Sequence, residues 1–262
     1  MSLSLKKLGK NSVPIAGLYS GGNAESVIFF TDDDELNEDH KPLKKIRLNN
    51  NNKAFFNAVT DFHKTKQVDH IMVTGQTGCG KSTFIAEYAK KFHQKYPKSR
   101  ALLFSSKKSD DILDKLKFVE RVEIDEDIIH NPYTLEEMSA ISTPLLVIFD
   151  DIQDFPTVKI NKEIARLRDE VMRNGRSMGL FSIYVNHDPC DYRATKSQLF
   201  EANKMVIFPR KCGEGTYNYL LEKKLFLNKK TIEAINTLKS NYVIINKSVP
   251  RTIISDKYIL LL

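Results

Sequence analysis

The glycine-rich stretch Gly75–Ser82, GQTGCGKS in one-letter code, decides the fold because it fits the pattern G-x-x-x-x-G-K-[ST] at every fixed position. It follows an apolar, β-like run at His70–Thr74 and opens a segment, Gly80–His93, in which apolar residues recur at helical spacing. A strand, a glycine-rich turn and a helix in this order place backbone N–H groups and a helix N-terminus around a phosphate. The stretch therefore predicts a phosphate-binding loop.

The side chains of this loop have separate expected roles. Lys81 would reach the β- and γ-phosphates of a nucleotide, and Ser82 would hold Mg²⁺. Cys79 is interpreted as a small filling residue, since no base stands beside it in the sequence. The residues expected to bind the nucleotide are Gly75, Gln76, Thr77, Gly78, Cys79, Gly80, Lys81, Ser82 and Thr83.

A second signal is the apolar run Leu145–Asp150, which ends in a carboxylate and is followed by another, as is typical of a Walker B strand. We expect Asp150 to enter the metal shell and Asp151 to polarise the attacking water. A buried strand that ends in a solvated turn would show the same pattern. The phosphate loop upstream favours the functional interpretation.

Predicted strands alternate with predicted helices after residue 53, which indicates βαβ units and a mostly parallel sheet. We expect the strand Ala101–Ser105 to separate the phosphate-loop strand from the Walker B strand, as in the ASCE branch of P-loop NTPases. The sequence thus predicts an α/β, three-layer P-loop NTPase fold. In such sheets ligands bind beyond the carboxyl ends of the strands. The residues that end the expected core strands are Thr74, Ser105, Asp150 and Asn186.

The chain is expected to contain an N-terminal extension with a small β addition over 1–52 and an ATPase core over 53–210. A basic α/β segment over 211–262 is expected to complete the same domain. Two of the predicted helices lie at Phe55–His63 and Asp110–Leu116, the second with a plausible cap at its start.

Polar residues near the phosphate site form a further group of candidates. Asn186 ends the strand Phe181–Asn186, where its side chain could contact the γ-phosphate, although an Asx turn before Pro189 is the alternative. Arginines can neutralise the charge of a transferring phosphate, often from a neighbouring subunit, and a solvated helix face is the alternative here. The candidate arginine fingers are Arg173, Arg176 and Arg193.

The positive charge of the chain is unevenly distributed. Of 262 residues, 40 are Lys or Arg and 33 are Asp or Glu, and residues 204–251 hold ten basic residues against three acidic ones. A concentrated positive charge suits a polyanion such as nucleic acid, although a solvated lysine-rich surface has the same composition. The candidate DNA contacts are Lys204, Arg210, Lys211, Lys223, Lys224, Lys229 and Lys230.

Composition disfavours several classes of protein. No apolar run approaches the roughly 20 residues of a membrane span, and the first residues contain no apolar signal-peptide core. Cys79, Cys190 and Cys212 lack C-x-x-C spacing, so neither a zinc site nor a disulfide framework is expected. We therefore expect a chain without a membrane span on the reducing side of the membrane.

Segments in a characteristic order carry a resemblance to a known family. They are GQTGCGKST at 75–83, VIFDDIQD at 147–154, RNGR at 173–176, SIYVNH at 182–187 and EANKMVIFPR at 201–210. The first two are generic, and the last three are specific. The chain resembles the virion DNA-packaging ATPases of large DNA viruses and virophages, the poxvirus-type branch of the FtsK–HerA superfamily. The match covers a little over half of the chain.

This resemblance implies a RecA-like, ring-forming motor that hydrolyses ATP with Mg²⁺ and drives double-stranded DNA into a preformed capsid. It implies nucleotide contacts from Gly75–Thr83, a metal acid at Asp150 and a catalytic acid at Asp151. It also implies a polar sensor at Asn186. The implied partners are double-stranded DNA, bound without sequence preference, and capsid or portal-vertex proteins. The implied location is intracellular, in the host cytoplasm or virus factory, or in the virion.

Two other functions stay open on the sequence. A nucleotide kinase would use paired arginines such as Arg173 and Arg176 in an acceptor pocket, but the expected strand order and the two adjacent acids argue against it. A non-hydrolysing nucleotide switch that assembles capsid or replication proteins would bind ATP without turnover. The presence of Asp151 weakens that alternative.

Overall fold

The computed structural model describes residues 1–21, 23–32, 42–49, 52–187, 192–210 and 214–262, without the side chains of 192–195 and 214–216. The described chain forms two compact units. The central unit comprises residues 59–203, and the terminal unit comprises residues 1–58 and 204–262. These limits differ from the predicted boundaries after residues 52 and 210, because segments from both ends of the chain belong to one unit.

Strands and helices follow one another along the described residues. The strands are β1 (Ser2–Ser4), β2 (Val13–Ser20), β3 (Asn23–Thr31), β4 (Lys45–Arg47), β5 (Lys53–Asn57), β6 (His70–Thr74), β7 (Ala101–Ser105), β8 (Val119–Arg121), β9 (Leu145–Asp150), β10 (Leu180–Asn186), β11 (Lys204–Ile207), β12 (Val243–Asn246), β13 (Thr252–Ser255) and β14 (Tyr258–Leu261). The α-helices are α1 (Phe62–Thr65), α2 (Lys81–Lys95), α3 (Asp127–His130), α4 (Leu135–Ile141), α5 (Val158–Asn174), α6 (Tyr192–Glu201), α7 (Glu214–Tyr219) and α8 (Lys229–Asn236). A 3₁₀-helix at Gly175–Met178 and a π-helix at Leu220–Lys224 are also present.

The strands of the central unit are parallel and lie in the order β6-β10-β9-β7-β8. Every residue of β6, β7, β9 and β10 is buried, as expected for parallel strands that are covered on both faces of the sheet. This unit has the α/β, three-layer P-loop architecture that the sequence predicted. Parallel pairing brings the carboxyl ends of β6, β10, β9 and β7 to one edge of the sheet.

The strand that separates the phosphate-loop strand from the Walker B strand is β10. The prediction that Ala101–Ser105 would lie between them was wrong, since that strand, β7, pairs with the opposite side of β9. Connections between parallel strands can pass over a neighbouring position, so the order along the chain does not give the order across the sheet. The expected separation of the two strands is nevertheless present.

The strands of the terminal unit pair in antiparallel fashion. One set follows the order β11-β12-β13-β14-β4, and the other follows β1-β3-β2-β5. The prediction of a mostly parallel sheet therefore applies to the central unit. Short connections join β12 to β13 and β13 to β14, and such short connections suit antiparallel hairpins.

Two predicted helices were wrong. Residues 53–57 form β5, and the helix that follows, α1, begins after Asp61, whose carboxylate accepts a hydrogen bond from the N–H of Lys64. Residues 111–115 form turns because the carboxylate of Asp110 accepts hydrogen bonds from the N–H groups of Ile112 and Leu113. An aspartate that bonds to nearby backbone in this way competes with helical hydrogen bonding.

Helix α2 follows the glycine-rich loop directly, as predicted. Its side chains Phe84, Ile85 and Phe92 are buried, and these positions confirm the helical spacing read from the sequence. The buried hydroxyl of Tyr88 donates to Asp69 Oδ2 at 2.6 Å, which ties α2 to the residue that precedes β6. Among the described residues, none of the helices combines the length and apolarity that a membrane crossing requires.

Candidate nucleotide-binding site

The loop between β6 and α2 has the conformation that a phosphate-binding turn requires. Gly78 and Gly80 have φ values of 76° and 111°, a region that glycine enters without the steric cost paid by other residues. The N–H of Cys79 donates to the carbonyl of Gln76 at 3.2 Å, and the Cys79 side chain is buried. The crest of the loop at residues 76–78 is exposed, so its backbone is accessible to a ligand.

The side chain of Lys81 folds back across this loop. Its ammonium donates to the carbonyl of Gly75 at 2.8 Å and to that of Gln76 at 3.0 Å. Its Nζ also lies 3.4 Å from Nδ1 of His187. The lysine is buried within the loop, where a positive charge can meet a bound phosphate.

Two buried carboxylates lie at the end of β9. Asp151 has a φ of 50°, which aspartate tolerates better than most residues, and the hydroxyl of Ser106 donates to its carbonyl at 2.7 Å. Burial raises the pKa of Asp150, and the adjacent charge of Asp151 raises it further. Burial acts in the same direction on Asp151, but hydrogen bonds from Lys107 and His187 outweigh it, so the pKa of Asp151 lies below its usual value.

Two side chains outside the predicted set join these groups into a chain of polar contacts. Nε2 of His187 contacts Oδ1 of Asp151, while the other ring nitrogen faces Lys81. The ammonium of Lys107 contacts Oδ2 of Asp151 and lies 3.4 Å from Oδ2 of Asp150. The phosphate-loop lysine and the two acids are thereby connected through His187 and Lys107.

The position of these two residues follows from the strand ends. Asn186 is buried at the end of β10, in register with Thr74, and the contact with Asp151 is made by the next residue, His187. Lys107 lies two residues beyond the end of β7. Ligands bind beyond the carboxyl ends of parallel strands, so the ends of β10 and β7 are expected to contribute side chains to the site. This expectation does not say which of several adjacent side chains turns toward the ligand.

Side chains with oxygen atoms suited to Mg²⁺ lie near the start of α2. Ser82 hydrogen-bonds with the carboxylate of Asp110, and the buried carboxylate of Asp150 lies near enough for the charge of Asp110 to act on it. Burial raises the pKa of Asp110, but hydrogen bonds from the N–H groups of Leu113 and Ile112 and from Ser82 bring it below its usual value.

Hydroxyl and carboxylate oxygens are the ligands that Mg²⁺ prefers, and the ion usually completes its shell with water and substrate phosphates. The described residues include no group of three His, Cys, Asp or Glu side chains that could hold a metal alone. The oxygens of Ser82, Asp110 and Asp150 are of the chemical type that fits Mg²⁺.

The chain was compared with protein families, with curated proteins and with solved structures. No family model matches the chain. One curated relative, the uncharacterized protein V3 of Sputnik virophage, is 29% identical over 236 residues, which cover 82% of this chain and 93% of the relative. B204, the DNA-packaging ATPase of Sulfolobus turreted icosahedral virus, shares the fold with a TM-score of 0.50 and 14% identity over 72% of this chain and 97% of B204. This chain has a P-loop ATPase fold.

A second solved structure agrees with that assignment. The cytoplasmic domain of the type VII secretion ATPase EccC of Thermomonospora curvata has a TM-score of 0.50 and 10% identity, over 82% of this chain and 28% of the EccC chain. At these identities the two structures establish the fold of this chain and nothing beyond it.

Two of the candidate arginine fingers, Arg173 and Arg176, lie away from the phosphate loop of their own chain. Arg173 is exposed and donates to Ser197 Oγ at 3.0 Å, and Arg176 is exposed in the 3₁₀-helix before β10, where its charge acts on His70. That is the amino-terminal edge of the sheet, about 20 Å from the phosphate-loop edge at the usual rise per strand residue. Arg193 lies in α6, and its side chain is outside the described residues.

The candidate DNA contacts are a mixed group. Lys204 was wrong as a surface contact, because it is buried and donates to the carbonyl of Ala58 at 3.2 Å. Arg210 is exposed, and Lys223 is exposed beside Glu222 at 2.9 Å. Lys224 lies over the ring of Tyr219, 5.8 Å from its centroid. Lys211 lies outside the described residues, and the exposed lysines at the start of α8 are Lys229 and Lys230.

Proposed function

We propose that this chain is an ATP-hydrolysing motor that moves double-stranded DNA into a preformed capsid. The observation that carries the proposal is the contact chain from Lys81 through His187 to Asp151, because it joins a phosphate-binding lysine to a carboxylate that can orient water. The fold likeness to B204, a DNA-packaging ATPase, extends over 97% of that protein and supports the choice of DNA packaging over other P-loop reactions.

Each residue of the site then has a role that its geometry permits. Lys81 and the N–H groups of the loop bind the phosphates, and Ser82 and Asp150 hold the metal. Bound Mg²⁺ would neutralise charge on the phosphate oxygens. Asp151 has a pKa below its usual value, so its carboxylate stays ionised at neutral pH and accepts a hydrogen bond from the attacking water. Asn186 is proposed as a polar sensor at the same edge of the sheet.

The proposed partners follow from charge and from the position of the arginines. Arg210, Lys223 and neighbouring basic residues would contact DNA phosphates without sequence preference. Arg173 or Arg176 would act on the nucleotide of an adjacent subunit, since neither lies near its own phosphate loop. A homo-oligomeric ring that docks on capsid or portal-vertex proteins, inside the infected cell or in the virion, is the assembly that this function requires.

Steady-state ATP hydrolysis with Mg²⁺, measured with and without long double-stranded DNA across a salt series, tests the proposal. We expect DNA to stimulate hydrolysis and the stimulation to fade as salt rises, because phosphate contacts release counterions. Asp151→Asn and Lys81→Ala should abolish turnover. Asparagine also tolerates a positive φ, so the first variant removes the charge while keeping the backbone conformation at that residue.

Other outcomes would favour the alternatives. If ATP turnover does not depend on DNA but appears when nucleoside monophosphates are added, the motor function is contradicted and a nucleotide kinase is indicated. Nucleotide binding without turnover, with DNA and with capsid proteins present, would indicate a non-hydrolysing assembly switch. The Asp151→Asn variant also distinguishes the switch from the motor. It should abolish the turnover of a motor, whereas it should leave the nucleotide affinity of a switch nearly unchanged.

A further inference from the structure

We propose that Lys107 is a positioning residue of the ATPase site, which holds the carboxylate of Asp151 in place and shares Asp150 with the divalent cation. The inference rests on the proposed ATPase function of the same site. No motif includes Lys107, and the sequence offers no reason to prefer it over the adjacent lysine, Lys108. The argument for it comes from its contacts and from the way its backbone is held.

The ammonium of Lys107 lies between the two acids. It contacts Oδ2 of Asp151 and lies 3.4 Å from Oδ2 of Asp150, whose side chains are 8% and 4% exposed. Two adjacent carboxylates repel each other, and burial, followed by the charge of Asp151, raises the pKa of Asp150. A cation at this point offsets that repulsion.

The backbone of Lys107 is fixed on two sides. Its N–H donates to the Ser105 hydroxyl at 3.3 Å, and its carbonyl accepts from Nη1 of Arg121 at 2.7 Å. Arg121 is itself held by an ion pair of 2.8 Å with Asp114. Residues at the ends of β7 and β8 thus hold the backbone of Lys107 in a fixed position. A lysine on a solvated loop has no such restraint.

The contact also fixes the orientation of Asp151. Its Oδ1 contacts His187 and its Oδ2 contacts Lys107, so both carboxylate oxygens have a partner and the group is held against rotation. A carboxylate that orients water must keep its geometry, and misplacement by about 1 Å can cost on the order of 10²-fold in rate. Loss of Lys107 should therefore lower kcat.

The same geometry determines how the site responds to metal. A cation within about 4 Å of Asp150 competes with a divalent ion for that carboxylate. Replacing Lys107 by a neutral side chain removes the competitor and leaves the acids without a counterion. Divalent ions should consequently bind more tightly to the variant, even though the variant is slower.

The experiment compares Lys107→Met with Lys108→Met. Both lysines are exposed and both changes remove one charge from the same loop, but Lys108 has no ion pair with a carboxylate among the residues that the structure describes. Calorimetry gives the affinity for ADP with Mg²⁺ and for ADP with a chelator, and the ratio of the two reports metal binding without turnover. Steady-state kinetics at saturating Mg²⁺ and ATP gives kcat and KM separately.

For Lys107→Met we expect the Mg²⁺ enhancement of ADP affinity to rise several-fold and kcat to fall on the order of 10²-fold with little change in KM. Lys107→Arg keeps a cation and should preserve the metal ratio, and Lys108→Met should match the unmodified protein. Identical metal ratios and kcat values in the two methionine variants would overturn the inference. Absence of hydrolysis by the unmodified protein would contradict the proposed function instead, and the calorimetric ratio would still test Lys107.

Discussion

The imidazole of His187 has two neighbours whose chemistry determines its tautomer. Lys81, whose Nζ lies 3.4 Å from Nδ1, can only donate, so in a neutral ring this contact assigns Nδ1 as the acceptor and places the ring proton on Nε2. That proton is then donated to Oδ1 of Asp151. The histidine thus links the lysine that would bind phosphate to the carboxylate that would orient water.

Replacement of His187 should separate these two contacts. His187→Gln retains an N–H donor for Asp151, whereas His187→Ala removes it, so we expect alanine to lower kcat on the order of 10²-fold and glutamine to retain most of the activity. Steady-state kinetics with kcat and KM determined separately checks this. Equal losses in the two variants would show that the donor to Asp151 is not the contribution of His187.

The pairing of β6 with β10 places a second histidine in the core. Nδ1 of His70 lies 2.7 Å from the hydroxyl of Ser182, its register partner, and Nε2 has no hydrogen-bond partner among the residues that the structure describes. Burial lowers the pKa of His70 to about 4, with the nearby charge of Asp69 opposing this and that of Arg176 adding to it. The two strands accordingly pack against a neutral imidazole.

This burial makes stability depend on pH. An unfolded histidine has a pKa near 6.5, so between about pH 6.5 and 4 the unfolded chain binds a proton that the folded chain does not. The free energy of unfolding should therefore fall by ~3 kcal/mol as the pH drops through that range. Denaturant titrations at several pH values measure it, and His70→Gln, which cannot be protonated, should flatten the slope. An unchanged slope in that variant would assign the acid sensitivity to other groups.

If Arg173 or Arg176 acts as the proposed arginine finger, its position requires that the complete site be formed by more than one subunit. Both lie at the amino-terminal edge of the parallel strands, about 20 Å from the phosphate loop of the same chain. In a ring, that edge of one subunit can face the phosphate loop of the next. Activity should then require an intact arginine on one chain and an intact Asp151 on its neighbour.

Mixing inactive variants tests this arrangement. Arg176→Ala and Asp151→Asn should each lose activity alone, and a mixture should regain part of it, because some interfaces combine an intact acid with an intact arginine. The same mixture with Arg173→Ala identifies which arginine acts. A mixture of Asp151→Asn with Lys81→Ala serves as the control, since both changes affect the same side of the interface and no recovery is expected. Full activity of each arginine variant alone would contradict a role in trans.

The elements with strong local signals were predictable from the sequence. The phosphate loop was found because glycine spacing, a preceding apolar run and a following helical pattern agree within about 25 residues. The end of β9 was found because a strand buried on both faces is apolar throughout until its terminal acid. Ile160, Ile164, Leu167 and Val171 recur in the sequence at helical spacing, and the structure buries all four in helix α5.

Tertiary packing decided the order of the strands and the partners of several charged side chains. The neighbour of each parallel strand depends on how crossover helices pack, so β10 rather than β7 separates the phosphate-loop strand from β9. Lys204 carries the charge of a surface residue, but the start of β11 buries it against the carbonyl of Ala58. Lys107 and His187 gain their importance from contacts with Asp151 across 44 and 36 residues, which no local pattern encodes. Local chemistry selects a loop or a strand, whereas the partners of a side chain are selected by the packing of distant segments.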